Sequence, residues 1–428
     1  MGRKKLSKTL EIHMNGFYVG SLNRPSTGAM EVVYSDEWMA SGRSISLSLP
    51  VITKSHRGEK VANYFDNLLP DNENIKRRIQ KRFKADSTNS FDLLSEIGRD
   101  CIGAIQLLPE GAKPTDMKTI KAEPLDDIQI SQILTDYQAS PLGMQEDNDF
   151  RISIAGAQEK TALLMHNGEW CRPVGATPTS HIFKLPMGVV NNKFDMTSSI
   201  ENEWLCGEII KGFGLPVANM QIMTFGDSKA LVVERFDRKL AEDGTWIIRL
   251  PQEDMCQALG ISPAIKYESD GGPGMEQIMK ILQGSEDSMS DRRTFMKSVF
   301  IFWLLGAIDG HGKNFSIFLS AGDKYRMTPL YDVLSAYPLL AEKQLSAQKT
   351  KMAMSVRGNS KHYNWDKIQR RHWISTAKLC GFPEKEMANI IDETLASAEK
   401  IIHSISLPKD YPTKIYEQIA EYFIKKCR

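Results

Sequence analysis

Apolar and polar residues alternate in short stretches through the first part of the chain. Leu10 to Gly20 and Met30 to Tyr34 carry the two-residue period of strands, with Asn15-Gly16 as a hairpin turn inside the first stretch. From Asp66 to Gly98 the period lengthens to that of helices, with charged residues around Ile75, Ile79 and Phe83. Glu110 to Asp127 is polar, reads as a connector, and leads to a boundary near residue 148. Strand signals return between Phe150 and Glu234. Phe150 to Ile154 alternates, Lys160 to His166 and Glu169 to Arg172 flank a second hairpin turn at Asn167-Gly168, and His181 to Leu185 is stopped by Pro186. Glu201 to Phe213 is helical and ends at Gly214, and two strands follow around Met220 to Phe225 and Ala230 to Val233. Beyond Pro251 the pattern is helical. Pro251-Gln-Glu-Asp places proline and acids where a helix opens, and Phe295 to Ile308, Ser375 to Leu379, Glu384 to Ile402 and Tyr411 to Lys426 continue in the same period. A strand-rich half followed by a helix-rich half predicts an α+β protein.

The chain has 428 residues, too many for one ordinary core, so two or three domains are expected. Its 54 basic and 53 acidic residues nearly cancel, which removes any bulk electrostatic case for nucleic-acid binding. The six cysteines are scattered, without metal-ligand spacing or a disulfide framework, as in a cytoplasmic protein with reduced thiols. Met1 to Lys8 is basic but has no apolar stretch behind it, so no signal peptide is expected, and Leu6 breaks a myristoylation pattern at Gly2. The longest apolar run, Val299 to Ile308, is about half of a membrane span and predicts a buried helix.

The sharpest chemical signal is Asp309-Gly-His-Gly-Lys-Asn314, between that helix and the apolar Phe315 to Leu319. Asp and Asn in the D-x-x-x-x-N spacing are what a kinase catalytic loop needs. The carboxylate takes the proton of the attacking hydroxyl, and the amide oxygen holds magnesium. The same residues would also serve as a polar turn after a helix. Asp332, in Tyr331-Asp-Val-Leu334, stands where kinases carry the acid of D-F-G, without the Phe-Gly. Upstream, Ile154 to Lys160 joins two strands through small residues that can bring N–H groups to phosphates, although a plain hairpin would use them too. Lys184 lies on the following strand, where kinases place their phosphate-pairing lysine. Glu203 is the candidate acid against it, with Glu201 as the alternative. Ala230 to Asp237 is an apolar strand ending in charge, placed as a hinge between lobes or as an ordinary strand end. Phosphate loop, strand lysine, hinge, Asp309 loop and Asp332 reproduce the order of a two-lobed kinase.

Longer stretches resemble one family, the HipA toxin kinases. They are Phe65 to Asp71, Phe91 to Arg99, Phe150 to Thr161, Glu234 to Arg238, Leu250 to Met255, Lys266 to Gly274 and the Asp309 loop. The resemblance implies a two-lobed protein-kinase-like fold in three parts. These are an accessory N-terminal region (1–148), a strand-rich small lobe with phosphate loop and hinge (149–250), and an all-helical C-terminal lobe with the catalytic loop (251–428). It implies that Asp309 is the base, that Asn314 and Asp332 hold magnesium, and that Ala155, Gly156, Ala157, Gln158, Glu159 and Lys160 cover the phosphates of ATP with Lys184. Glu234 and Phe236 would meet adenine, and Gln252, His311 and Tyr331 would complete the pocket. Ser153 matches a serine that family members phosphorylate on themselves to switch off, and Lys378 a position linked with DNA contact. The family further implies a HipB-like helix-turn-helix antitoxin that binds operator DNA and represses its operon, glutamyl-tRNA synthetase as substrate, and growth arrest with persistence. His311, where protein kinases usually have Lys, keeps a small-molecule phosphotransferase in view, and a silent nucleotide-binding module is the non-enzymatic alternative.

Overall fold

The structure is a computed structural model and describes residues 8–26, 28–114, 116–139, 158 and 160–428. The chain divides into two compact units. One comprises Met1–Leu185, Thr224–Ala264 and Ile317–Lys324, the other Pro186–Met223, Ile265–Ser316 and Tyr325–Arg428.

The first unit opens with an antiparallel sheet in the order Ser55–Arg57, Glu31–Tyr34, Phe17–Arg24, Lys8–Met14, Ile105–Pro109. Asn15 and Gly16 both take positive φ (49° and 87°), the geometry that turns a two-residue hairpin with the twist of its strands. The helices Glu59–Asp66, Glu73–Phe83 and Ser90–Ile97 accompany this sheet, and Leu10, Ile12, Leu22, Val32, Phe65 and Leu94 are among the residues of its buried core. Five neighbouring strands of a second, six-stranded sheet stand in the order Ser228–Glu234, His181–Lys184, Lys160–His166, Glu169–Pro173, Ala122–Pro124. Asn167 (φ 52°) and Gly168 (φ 85°) make its hairpin turn, as their sequence predicts. The connector after Glu110 is more structured than its polarity suggests. It carries the edge strand Ala122–Pro124 and the helix Asp127–Ala139, in which Ile130 and Leu134 are fully buried.

Pro251 does not open a helix. Gln252–Asp254 is a strand, and the Pro251 carbonyl accepts from Leu319 N at 2.9 Å. The helix Met255–Leu259 begins after Asp254, whose carboxylate accepts from Gln257 N at 2.8 Å while its own N–H donates to the Gln257 side chain at 3.0 Å. The capping box, not the proline, sets the start.

The second unit is built around the helix Ser288–Leu304, whose residues from Ser298 to Leu304 are all buried. A helix apolar on every side can only be central. The helices Arg370–Leu379, Glu384–Ser404 and Thr413–Cys427 lie in the same unit. The expectation of an all-helical C-terminal part fails at Lys351–Arg357 and Lys361–Asn364, which pair as an antiparallel hairpin. Met352, Ala353, Met354 and Val356 are buried there, and Ala353 N donates to Ile308 O at 2.8 Å, one residue before Asp309. These residues form a strand because a neighbouring main chain takes their hydrogen bonds, which no local period announces. Among the described residues no helix is long and apolar enough to cross a membrane.

Candidate active site

The central helix stops at Leu304, and the chain reverses through Gly306 at φ 60°. A Cβ there would stand 2.8 Å from the ring of buried Tyr337, so only glycine fits both the turn and the contact. The reversal delivers Asp309 to the surface while His311, Lys313 and Asn314 turn inward and are buried. The loop is held by its own atoms. His311 N donates to the Asp309 carbonyl at 2.8 Å and to Asn314 Oδ1 at 3.1 Å, and Asn314 N donates back to the His311 carbonyl at 3.0 Å.

Tyr267, from the Lys266 to Gly274 stretch, donates its hydroxyl to Asp309 Oδ1 at 2.6 Å and sets its ring edge-on to His311 at 5.1 Å. Sequence reasoning did not single it out as a site residue. Its only signal was membership of a glycine-rich stretch whose backbone must bend. Glu268 next to it anchors that stretch, accepting from Ser355 N at 2.6 Å and from Lys361 Nζ at 2.7 Å.

Asp332 comes to the same loop. Asn314 Nδ2 reaches the Asp332 carbonyl at 3.4 Å, and the Tyr331 hydroxyl donates to the Lys313 carbonyl at 2.7 Å and touches the Ser316 hydroxyl. Asp332 sits at φ 60°, a left-handed conformation that costs an L-residue energy and persists where surroundings impose it. Those surroundings reach the helix Ser199–Gly212. Its Asn202 exchanges two hydrogen bonds of 2.8 Å with the main chain of Ser335. Glu201 and Glu203 flank Asn202 and are buried with it.

In the first unit, Lys184 is 5% exposed on its strand and is the antiparallel partner of Lys160. Gln158 donates Nε2 to the Leu185 carbonyl at 2.6 Å. Glu234 is exposed at the end of Ser228–Glu234, and half-buried Phe236 meets Phe318 edge to face at 5.8 Å. Gln252 is buried, and its Oε1 has no hydrogen-bond partner among the described residues. A buried orphan acceptor is costly unless a ligand serves it.

The structure thus gathers Asp309, His311, Asn314, Tyr331 and Asp332 in one unit, with Glu203, and carries Gln158, Lys160, Lys184, Glu234, Phe236 and Gln252 in the other. Ser153, Ala155, Gly156, Ala157 and Glu159 lie outside the described residues. Lys378 is exposed near the end of Arg370–Leu379, with Glu384 at 3.7 Å.

Asp309 and Asn314 on one loop, with the Asp332 main chain bonded to it, are the arrangement expected of the kinase class. Comparison with known proteins agrees. The family model of the HipA-like C-terminal domain matches residues 152–402, and that of the HipA N-terminal domain matches residues 10–108. The chain is 31% identical over 411 residues to the putative kinase Y4mE of Sinorhizobium fredii, covering 93% of each. It is 29% identical over 341 residues to the serine/threonine-protein kinase toxin HipA of Shewanella oneidensis, covering 76% of this chain and 75% of that protein. A chain in the solved complex of the Shewanella oneidensis MR-1 toxin–antitoxin system HipA, HipB and its operator DNA shares the fold. The TM-score is 0.80 at 22% identity, covering 98% of this chain and 96% of that one. This chain belongs to the HipA family and is a kinase.

Proposed function

We propose that this kinase transfers the γ-phosphoryl group of ATP to a serine or threonine hydroxyl of a protein, with Asp309 as the base. The observation that carries the reading is the Asp309 carboxylate, exposed on a loop whose neighbours are buried and bonded, and oriented by Tyr267 at 2.6 Å. The substrate oxygen forms a bond to the γ-phosphorus as the bond to the bridging oxygen of ADP breaks. The leaving oxygen keeps the electron pair, and the hydroxyl proton passes to Asp309. The donors at Asn314 and Asp332 fit magnesium: both are hard oxygens, and magnesium in such sites takes one or two protein ligands and completes its shell with phosphates and water. No cluster of three metal-binding His, Cys, Asp or Glu occurs among the described residues, as suits an ion that arrives with the nucleotide. Bound there, magnesium would neutralise phosphate charge. Asn314 and Asp332 would orient it, Lys160 and Lys184 would hold the phosphates, Glu234 and Phe236 would meet adenine, and Gln252, His311 and Tyr331 would complete the nucleotide pocket. Glu203 is proposed as the acid against Lys184.

We extend the reading to a cytoplasmic toxin held by a HipB-like helix-turn-helix antitoxin, with operator DNA engaged mainly through that partner and Lys378 as a direct contact. Support comes from the relative named as a HipA toxin and from the solved complex of HipA, HipB and operator DNA. Glutamyl-tRNA synthetase is the proposed substrate, persistence the outcome, and autophosphorylation at Ser153 the off-switch. The test is phosphate transfer from labelled ATP to glutamyl-tRNA synthetase and to the chain itself, mapped by mass spectrometry, with parent and Asp309→Asn side by side. Equal labelling by both would overturn the assignment of Asp309. Labelling of neither protein at a serine or threonine by the parent would overturn the substrate class.

A further inference from the structure

Beyond the strand end at Glu234 the chain turns, Arg238 N donating to the Arg235 carbonyl at 3.1 Å, with Glu234 exposed, Arg235 buried, Phe236 half-buried and Asp237 buried. Glu234 and Phe236 are the chain neighbours of the two buried residues, joined to them through planar peptide bonds. Whatever fixes Arg235 and Asp237 in this turn therefore restrains where Glu234 and Phe236 stand.

What fixes them comes from the amino-terminal region, in the turn Asp100-Cys-Ile-Gly103. Arg235 grips Asp237 with two bonds, Nε to Oδ1 at 3.0 Å and Nη2 to Oδ2 at 2.9 Å. Its Nη1 donates to Thr179 Oγ1 at 2.8 Å and to Asp100 Oδ2 at 3.2 Å, and its Nη2 donates to the Cys101 carbonyl at 2.8 Å. Thr179 in turn donates its hydroxyl to Asp100 Oδ2 at 2.7 Å. Arg238 Nη2 reaches Asp100 Oδ1 at 2.8 Å, and Gly103 N donates to Asp237 Oδ2 at 2.7 Å. Gly103 has a second neighbour. With φ +76°, a Cβ there would stand 2.8 Å from the Gln252 carbonyl oxygen, so this glycine backbone lies directly against Gln252. Burial alone would push the Asp100 carboxyl up, but Arg238, Arg235 and Arg249 hold it well below the usual carboxylate range. The cluster stays ionised at any neutral pH, and its planar forks admit one geometry.

We propose that Asp100 to Gly103 positions the nucleotide-binding edge: through Arg235 and Asp237 it places Glu234 and Phe236, and through Gly103 it places Gln252. The amino-terminal region is then a working part of the adenine site and not only an appendage for partners. Asp100 and Thr179 are positioning residues, since they act through Arg235. This rests on the reading of Glu234 and Phe236 as adenine contacts and of Gln252 as part of the nucleotide pocket.

The experiment uses the full chain and three probes: ATP with magnesium, adenosine, and tripolyphosphate with magnesium. Thr179→Val removes one link with little change of shape, Asp100→Asn removes the charge, and Phe236→Ala tests the underlying site directly. Thr179→Val and Asp100→Asn are expected to weaken adenosine and raise the KM for ATP by about tenfold, as loss of outer-shell partners does elsewhere, with kcat and tripolyphosphate affinity little changed. Should Asp100→Asn not fold, Thr179→Val carries the test alone. If Phe236→Ala weakens adenosine and Thr179→Val does not, the positioning role is overturned while the adenine site stands. If Thr179→Val weakens adenosine and tripolyphosphate equally, the cluster is merely structural and the proposal also falls. If Phe236→Ala leaves adenosine binding unchanged, the adenine assignment itself has failed, and this inference with it.

Discussion

Asp332 carries a backbone cost that its substitutions can separate from its chemistry. At φ 60° an L-residue pays roughly 1–2 kcal/mol for the close approach of Cβ to the following carbonyl oxygen. Alanine at 332 keeps that Cβ and loses the carboxylate. Glycine loses both, relieving the clash but adding about 0.5–1 kcal/mol of chain entropy to the unfolded state. Any contact of the Asp332 side chain is lost equally in the two variants and cancels in their comparison. The difference therefore isolates the backbone: Asp332→Gly is expected to be more stable than Asp332→Ala by about 1 kcal/mol. Urea unfolding of the nucleotide-free chain, followed by circular dichroism, reads this as a higher midpoint with unchanged slope. Calorimetry with ATP, with and without magnesium, reads the other half: neither variant should show tighter ATP binding when magnesium is added. Equal midpoints would refute the strain at Asp332. A glycine variant that still gained ATP affinity from magnesium would show that another residue holds the metal.

Asp309→Asn should abolish phosphoryl transfer and leave ATP affinity within a few-fold, measured as turnover and binding on the same preparation; unchanged turnover would sink the base assignment. Tyr267→Phe removes one charge-assisted hydrogen bond of about 1.5–3 kcal/mol, so kcat should fall on the order of tenfold to a hundredfold at constant KM for ATP; a variant as fast as the parent would make Tyr267 a bystander. Burial pushes the Glu253 carboxyl up to about 8 from 4.5, with Leu47 N at 2.8 Å opposing. For an acid raised on folding, the stabilisation is complete below the unfolded pKa and is lost as pH rises through the folded one, so stability should decline between about pH 4.5 and 8 by up to 1.4 kcal/mol per unit from this group. Denaturation midpoints across that window should flatten in Glu253→Gln, and an identical slope in parent and variant would exclude Glu253 as the source.

The elements that could be read from sequence are those whose cause is local. Asn15-Gly16 and Asn167-Gly168 turn hairpins because asparagine and glycine accept positive φ, and Val299 to Leu304 is central because nothing polar interrupts it. Where a distant partner decides, the pattern misleads. Pro251 looks like a helix start until Leu319 takes its carbonyl, and Lys351–Arg357 looks helical in context until a main chain pairs with it. The candidate site divides in the same way. Asp309, Asn314 and Asp332 stood out as candidates because a kinase loop would need those residue types in that order. Tyr267 did not, since it lies 42 residues from Asp309 and nothing in its neighbourhood requires a hydroxyl.

The buried charges add what spacing cannot supply. Asp100, Arg235, Asp237, Arg238 and Arg249 are taken out of water together, in an arrangement that hydrophobic residues of similar volume could replace with little loss of stability. Stability alone is thus a weak reason for five ionised groups in this place. Direction is a stronger one: a hydrophobic contact tolerates sliding, whereas the Arg235–Asp237 fork and the Asp100 carboxylate fix the segment from 234 to 237 in both register and rotation. The cluster sits one residue from each of the two proposed adenine contacts, Glu234 and Phe236, and is anchored in a different part of the sequence. A strand end and turn held in that way keep Glu234 and Phe236 in place without a ligand, and the ordering cost is met before the nucleotide arrives.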